Sequence, residues 1–317
     1  MKRVAVIGTG SFGQNHARVY SELPDVSLKA VCDINEAIGK PIAEKYQVDY
    51  FSDYRELIGT VDAVSLATPT LTHKAIACDF LKAGIAVLIE KPISRTLEEA
   101  EEILKTAREN NRVLQIGHLE RFNPAVIAAS QVVTQPRFFE GHRLSLFTPR
   151  SLDIDVVMDL MIHDLDVILS MVKSEVVEIR AAGIPILTPK IDIANARIEF
   201  ANGCVANLTA SRVSAERVRK LRFFQPSQYV SIDYAAQEAS MVKVDYSSGG
   251  KPDFGFRALA VEREEPLKLE IQSFLNAVDG APVITSGQDG KNALQLAIGI
   301  VEKIKEHAEK IGIPFVG

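Results

Sequence analysis

The stretch Val4-Ala5-Val6-Ile7-Gly8-Thr9-Gly10-Ser11-Phe12-Gly13 decides how the amino-terminal part of the chain is read. Four consecutive apolar residues stop at a glycine, and a helical pattern opens at residue 11. The six residues from Gly8 fit GxGxxG, which says little alone but describes a pyrophosphate-binding turn when it joins a strand to a helix. Gly8 permits the tight turn. Gly10 lacks a Cβ, so phosphate can approach the backbone, and Gly13 lets the helix pack closely on the strand. Ser11 and Phe12 open that helix, whose N–H groups and positive dipole end favour an anion.

Moving outward, strand and helix patterns alternate: strands at 4–7, 26–32, 61–67, 85–89 and 113–116, helices at 11–23, 36–46, 73–83 and 98–110. Continuous apolar strands between amphipathic helices predict a parallel sheet covered on both faces, a doubly wound α/β domain over residues 1–118. Asp33 ends the second strand about 20 residues beyond the last glycine. There it can accept both hydroxyls of an adenosine ribose and repel a 2′-phosphate, which favours NAD over NADP. The alternative for these residues is a plain glycine-rich turn with a surface Asp.

After Gly117 the pattern changes to mixed α+β over 119–317. An apolar helix is expected at 156–172. Strands are expected at 193–200 and 204–211, joined at Asn202-Gly203 by a type I′ turn. A further strand is expected at 229–234, an irregular loop at 246–265, and closing helices at 270–278 and 287–311. The chain has 317 residues, 47% of them hydrophobic, enough for two cored domains and too apolar for intrinsic disorder. No apolar run reaches the ~18 residues of a membrane span. The first residues are too short an apolar run for a secretory signal. Cys32, Cys78 and Cys204 lie far apart without CxxC. That argues against a disulfide scaffold or structural zinc and for a reducing, cytoplasmic setting. A net charge of −5 with scattered Lys and Arg gives no footprint for nucleic acid.

Two further constellations carry chemistry. Lys91, in Glu90-Lys91-Pro92, follows the fourth apolar strand, and ligands bind at the carboxyl ends of such strands. Spacing alone leaves it equally readable as a solvated loop lysine. The helix from residue 155 is mostly apolar, yet Asp155, Asp159, His163 and Asp166 share a face while Asp164 points away. At about 100° per residue, His163 lies about 40° from Asp159. Burying unpartnered carboxylates is costly, so the stripe is expected to face a polar cavity, with Asp159 orienting His163 as a general base. The alternative is a satisfied core histidine with acids complementing a helix dipole. Asp159, His163 and Asp166 could ligate a divalent ion, but no zinc signature accompanies them and no metal is expected.

Gly8–Gly13, Glu90-Lys91-Pro92 and Asp159-x-x-x-His163-x-x-Asp166, in this order and spacing, resemble the Gfo/Idh/MocA family of NAD(P)-dependent oxidoreductases over essentially the whole chain. The resemblance implies a Rossmann domain followed by an α+β domain with an open, mostly antiparallel sheet, through which members form homodimers or homotetramers. It makes Lys91 the active-site lysine and Asp159 and His163 the catalytic pair. It places Thr68, Pro69 and His73, with Glu90, against the cofactor. One departure is Met161, where many members have glycine. The segments 117–124 and 158–164 look most like sugar-nucleotide dehydrogenases that oxidise the 3-hydroxyl of UDP-N-acetylglucosamine. On that reading Arg121, Asn123 and Arg150 join Lys91, Asp159 and His163 around the sugar substrate. Arg121, Arg143, Arg150 and Arg212 are then candidates for the diphosphate, since guanidinium binds phosphate bidentately. The competing expectations are a free sugar, aldose or inositol dehydrogenase and a non-catalytic nicotinamide-binding regulator. A regulator needs no acid–base set.

Overall fold

The computed structural model describes residues 1–148, 154–246 and 252–312. They divide into two compact units, residues 1–119 with 265–294, and the described residues of 120–264 with 295–312. A single cut after residue 118 omits that return of the chain to the first unit.

The first unit runs β1 (Lys2–Ile7), α1 (Ser11–Glu22), β2 (Val26–Cys32), α2 (Glu36–Tyr46), β3 (Asp49–Phe51), β4 (Ala63–Leu66), α3 (His73–Lys82), β5 (Ala86–Glu90), α4 (Leu97–Glu109) and β6 (Leu114–Gly117). Its six strands lie in the order β3-β2-β1-β4-β5-β6, all parallel. The order reverses at β1, and the crevice at such a switch point is where doubly wound sheets bind nucleotides.

The second unit runs α5 (Pro124–Ser130), β7 (Phe138–Leu144), a π-helical turn (Val157–Met161), α6 (Ile162–Val172), β8 (Val176–Ile184), β9 (Ile193–Phe200), β10 (Val205–Ser211), β11 (Val218–Gln225), β12 (Gln228–Asp233), β13 (Glu238–Tyr246) and β14 (Pro252–Ala258). The eight strands order as β14-β13-β12-β11-β7-β10-β9-β8, with only the β7–β10 pair parallel. The chain closes with α7 (Pro266–Val278) and α8 (Gly287–Ile311). Among the described residues no helix is long and apolar enough to cross a membrane.

α7 belongs to the first unit because of what it buries. Leu267, Ile271, Phe274 and Leu275 join Val4, Val6, Val19 and Tyr20 in one apolar cluster. Each such side chain contributes about 1.5–3 kcal/mol by leaving water. Gln115 on β6 donates to the Glu270 carbonyl (3.1 Å) and Thr285 donates to the Ile116 carbonyl (2.7 Å), which ties the returning segment to the sheet edge.

Two expectations change. The β9–β10 hairpin forms, but its turn is not type I′. Gly203 has φ +80° while Asn202 is not in the left-handed region, and Gly203 N–H closes on the Phe200 carbonyl at 2.8 Å. A three-residue loop with glycine in the left-handed position gives this pattern. The expected loop at 246–265 contains β14, paired with β13 from Ser240 to Tyr246. All seven β14 residues are exposed, so burial imposes no alternation on its sequence.

Candidate active site

In the first unit the glycine turn has the shape its sequence requires. Gly8 sits at φ +85°, and a Cβ on Gly13 would stand 1.8 Å from the Gly8 carbonyl oxygen, whereas a Cβ on Gly10 would meet nothing within 4 Å. The turn is therefore closed against the strand and open on the outer side, which fits a pyrophosphate laid along the backbone at the start of α1. Asp33 follows directly on β2. Its Oδ2 accepts from Thr9 N (2.8 Å) and Thr9 Oγ1 (2.9 Å), and its Oδ1 accepts from Asn35 N (2.9 Å). The carboxylate thus fixes the glycine turn.

Lys91 follows directly on β5 and is half-buried; the Lys91–Pro92 bond is cis. Its neighbours are held on both sides. Glu90 Oε1 lies 2.9 Å from His16 Nε2, on α1. The Pro92 carbonyl lies 3.1 Å from His73 Nδ1, while His73 Nε2 lies 2.9 Å from the Thr68 carbonyl. His73 is buried, and burial pushes its pKa down, against hydrogen bonds from its ring to Thr68 and Pro92 that push it up. It sits beneath the Thr68-Pro69 segment as a bridge between two strand ends. Thr68 Oγ1 and Thr72 Oγ1 pair at 2.7 Å.

In the second unit the expected single helix at 156–172 begins as a π turn, with Ile162 N–H reaching back to the Val157 carbonyl. The wider turn changes the angular spacing, so the 100° wheel does not carry across Asp159. π turns inside helices occur often at functional sites. Asp159 and His163 are half-buried, while Asp164 and Asp166 are buried. The carboxylates next to the pair are engaged within the unit. Asp164 takes a bidentate contact from Arg143 on β7 (2.8 and 3.0 Å). Asp155 accepts from Ile191 N (3.0 Å), and Asp166 lies 3.4 Å from Arg121 Nη1.

These contacts revise the arginine set. Arg143 is buried, forked onto Asp164, bonded to Glu120 at 2.9 Å and stacked 4.8 Å from the Tyr234 ring. Its guanidinium is taken up by structure and not by a diphosphate. Arg212 likewise donates to the Ile154 carbonyl (2.6 Å) and faces Asp192. Asn123 caps α5 and donates to Glu120 (3.1 Å) and the Tyr234 carbonyl (3.0 Å), so its amide is committed inside the unit. Arg121 remains partly accessible, and Arg150 lies outside the described residues. Among the described residues, the His, Cys, Asp and Glu atoms within metal-ligating reach of one another are those of His16, Glu90 and Glu270. The Asp159, His163 and Asp166 set does not make such a group.

The sequence reading missed His16, Glu270 and the Glu120–Arg143–Asp164 network. His16 alone carried a signal, three residues past Gly13 on the buried face of α1 with Ala17, Val19 and Tyr20.

The comparisons agree with this geometry. Residues 2–118 match the oxidoreductase family with an NAD-binding Rossmann fold, and residues 128–225 match the GFO/IDH/MocA C-terminal domain. The chain is 39% identical to the UDP-N-acetylglucosamine 3-dehydrogenase of Acidithiobacillus ferrooxidans, across 94% of this chain and 96% of that one. A solved structure of the enzyme from that organism superposes with a TM-score of 0.89 at 37% identity, covering 96% of this chain and 98% of that one. An inositol 2-dehydrogenase of Rhizobium meliloti is 27% identical over 96% of this chain and 97% of its own. A levoglucosan dehydrogenase, solved with NADH and levoglucosan, shares the fold at a TM-score of 0.86 and 20% identity, over 96% and 97%. The chain belongs to the Gfo/Idh/MocA family and is an NAD-dependent oxidoreductase.

Proposed function

We propose that the enzyme oxidises a secondary hydroxyl of a sugar nucleotide, the 3-hydroxyl of UDP-N-acetylglucosamine. The observation that carries this reading is the end-to-end likeness, 39% over 94% of the chain, to an enzyme named for that reaction, against 27% to an inositol dehydrogenase.

NAD supplies the hydride acceptor when bound. The chain's own residues supply the rest. The glycine turn holds the pyrophosphate and Asp33 selects the ribose hydroxyls. His163, oriented by Asp159, takes the hydroxyl proton. Lys91 donates a hydrogen bond to the oxygen on which negative charge develops. Arg121, half-buried and 3.4 Å from Asp166, is the arginine assigned to the diphosphate. Thr68 and Pro69 line the cofactor, and the open sheet of the second unit forms the homo-oligomer.

The test is absorbance of reduced nicotinamide after mixing the protein and NAD with UDP-N-acetylglucosamine, myo-inositol or glucose. Turnover with the nucleotide sugar at a kcat/KM well above the other two is expected. Preference for inositol or glucose would transfer the assignment to a free polyol or sugar. NAD binding with no turnover of any of them would make the protein a nicotinamide-binding regulator.

A further inference from the structure

Lys91 has no regular secondary structure of its own, yet each residue flanking it is gripped by a buried histidine from a different helix. His16 is fully buried on α1, the helix that the glycine turn opens, and its Nε2 lies 2.9 Å from the Glu90 carboxylate. His73, at the start of α3, sets one ring nitrogen 3.1 Å from the Pro92 carbonyl and the other 2.9 Å from the Thr68 carbonyl, and the neutral ring donates to one of the two. If His16 donates in this contact, its proton sits on Nε2. His16 Nδ1 agrees, being buried with no hydrogen-bond partner among the described residues. As a bare lone pair it costs less there than an orphaned N–H.

The seat of Glu90 is also shaped. A Cβ on Gly117 of β6 would stand 3.0 Å from Glu90 Oε2 and 3.1 Å from Glu90 Cα, so the adjacent strand presents hydrogen where the carboxylate lies. Glu270 of α7 completes the group, its carboxyl within 4.8 Å of the His16 and Glu90 ligand atoms. The other titratable groups around the cluster are Lys91 itself, Tyr20, which feels the charge of Glu270, and His73, which feels that of Glu90.

We infer that His16, acting through Glu90, is a positioning residue for Lys91. It ties the amine to the helix that carries the phosphate-binding turn, with His73 steadying the far side through Pro92. The inference rests on the role proposed for Lys91 above. An anchor midway along α1 sets the aim of Lys91 from beneath it, so its loss falls on kcat and not on NAD affinity.

The experiment compares His16→Leu with His16→Gln. Gln places an amide N–H near the Nε2 position and can still donate to Glu90; Leu fills the space and cannot. A small displacement of a reacting group can cost up to ~10²-fold, so His16→Leu should lower kcat at least ~10-fold, with Kd for NAD within about twofold. His16→Gln should recover most of that loss. Equal loss in both variants, or a loss confined to NAD affinity, would overturn the inference.

Two measurements remain if His16→Leu fails to fold or no sugar substrate is turned over. Nitrogen-15 spectra of the wild-type imidazoles should show His16 as the Nε2–H tautomer; the opposite tautomer refutes the clamp. Acetylation mapped by mass spectrometry should change at Lys91 in His16→Gln or His16→Leu while distant lysines keep their rates; an unchanged Lys91 rate in both refutes it too. If the wild type is silent with every sugar but Lys91 labelling responds, the substrate reading fails and the clamp stands. A His with two carboxylates is also a donor set for a divalent cation. Activity that vanishes with chelator and returns with manganese or zinc would make this cluster a metal site and overturn the positioning role.

Discussion

The corner at Glu90–Pro92 and the π turn at Val157–Met161 carry Lys91 and Asp159, both proposed above for chemistry, and they are held by opposite means. The corner ends a regular strand. After Glu90 its backbone leaves the sheet, and side chains from α1 and α3 meet it, His16 on a carboxylate and His73 beside a carbonyl. The π turn is irregular in its own backbone. Beside it, Asp155 accepts a backbone N–H from Ile191 and Asp164 is forked by Arg143, with Asp159 and His163 half-buried between them in sequence. A strand end borrows rigidity from polar clamps of a few atoms. A distorted helix needs an ion pair in its core.

The contrast is easiest to break at Arg143. Arg143→Met leaves Asp164 and Glu120 buried without their cation and should cost about 3–5 kcal/mol in urea-induced unfolding, while Arg143→Met with Asp164→Leu should regain part of it. An unchanged midpoint in the single variant would show that the π turn does not depend on the pair.

Lys91→Ala should do the reverse. Its unfolding midpoint should stay near wild type and its NAD titration should be unaltered, while turnover falls ~10². Full activity would remove Lys91 from the chemistry, and a large loss of stability would make the corner as structural as the π turn.

The smallest effect concerns His73. Burial holds its pKa below the ordinary value of 6.5. The unfolded chain therefore binds this proton first as pH falls. Stability is whole above about pH 6.5 and declines below it, until the folded pKa is passed. His73→Gln should flatten that limb of the stability–pH curve. An identical slope in both proteins would mean that His73 titrates normally and steadies nothing.

How legible all this was depended on what each segment buries. β1, β4 and β5 are buried along most of their length and read as mostly apolar runs, so the parallel sheet and its glycine turn could be seen at once. In the second sheet, β11 mixes Val218 and Leu221 with Arg219, Lys220 and Arg222, and β7 carries Gly141, His142 and Arg143. Cross-strand pairing sets such strands more than composition does, and their charges hid them. The stripe of acids was visible, but not which acid meets which arginine. Asp164 and Arg143 are 21 residues apart, and only the fold brings them to 2.8 Å. Glu270 was invisible as a partner of His16 for the same reason.

The return of α7 bears on how the polypeptide leaves the ribosome. Four of its side chains complete the apolar cluster that β1 and α1 begin. The nucleotide-binding unit is therefore unfinished until at least residue 278 has been synthesised, some 160 residues after its last strand, β6, ends at Gly117. A nascent fragment ending at residue 119 carries the open apolar flank that α7 later covers, a surface prone to self-association until the return is made.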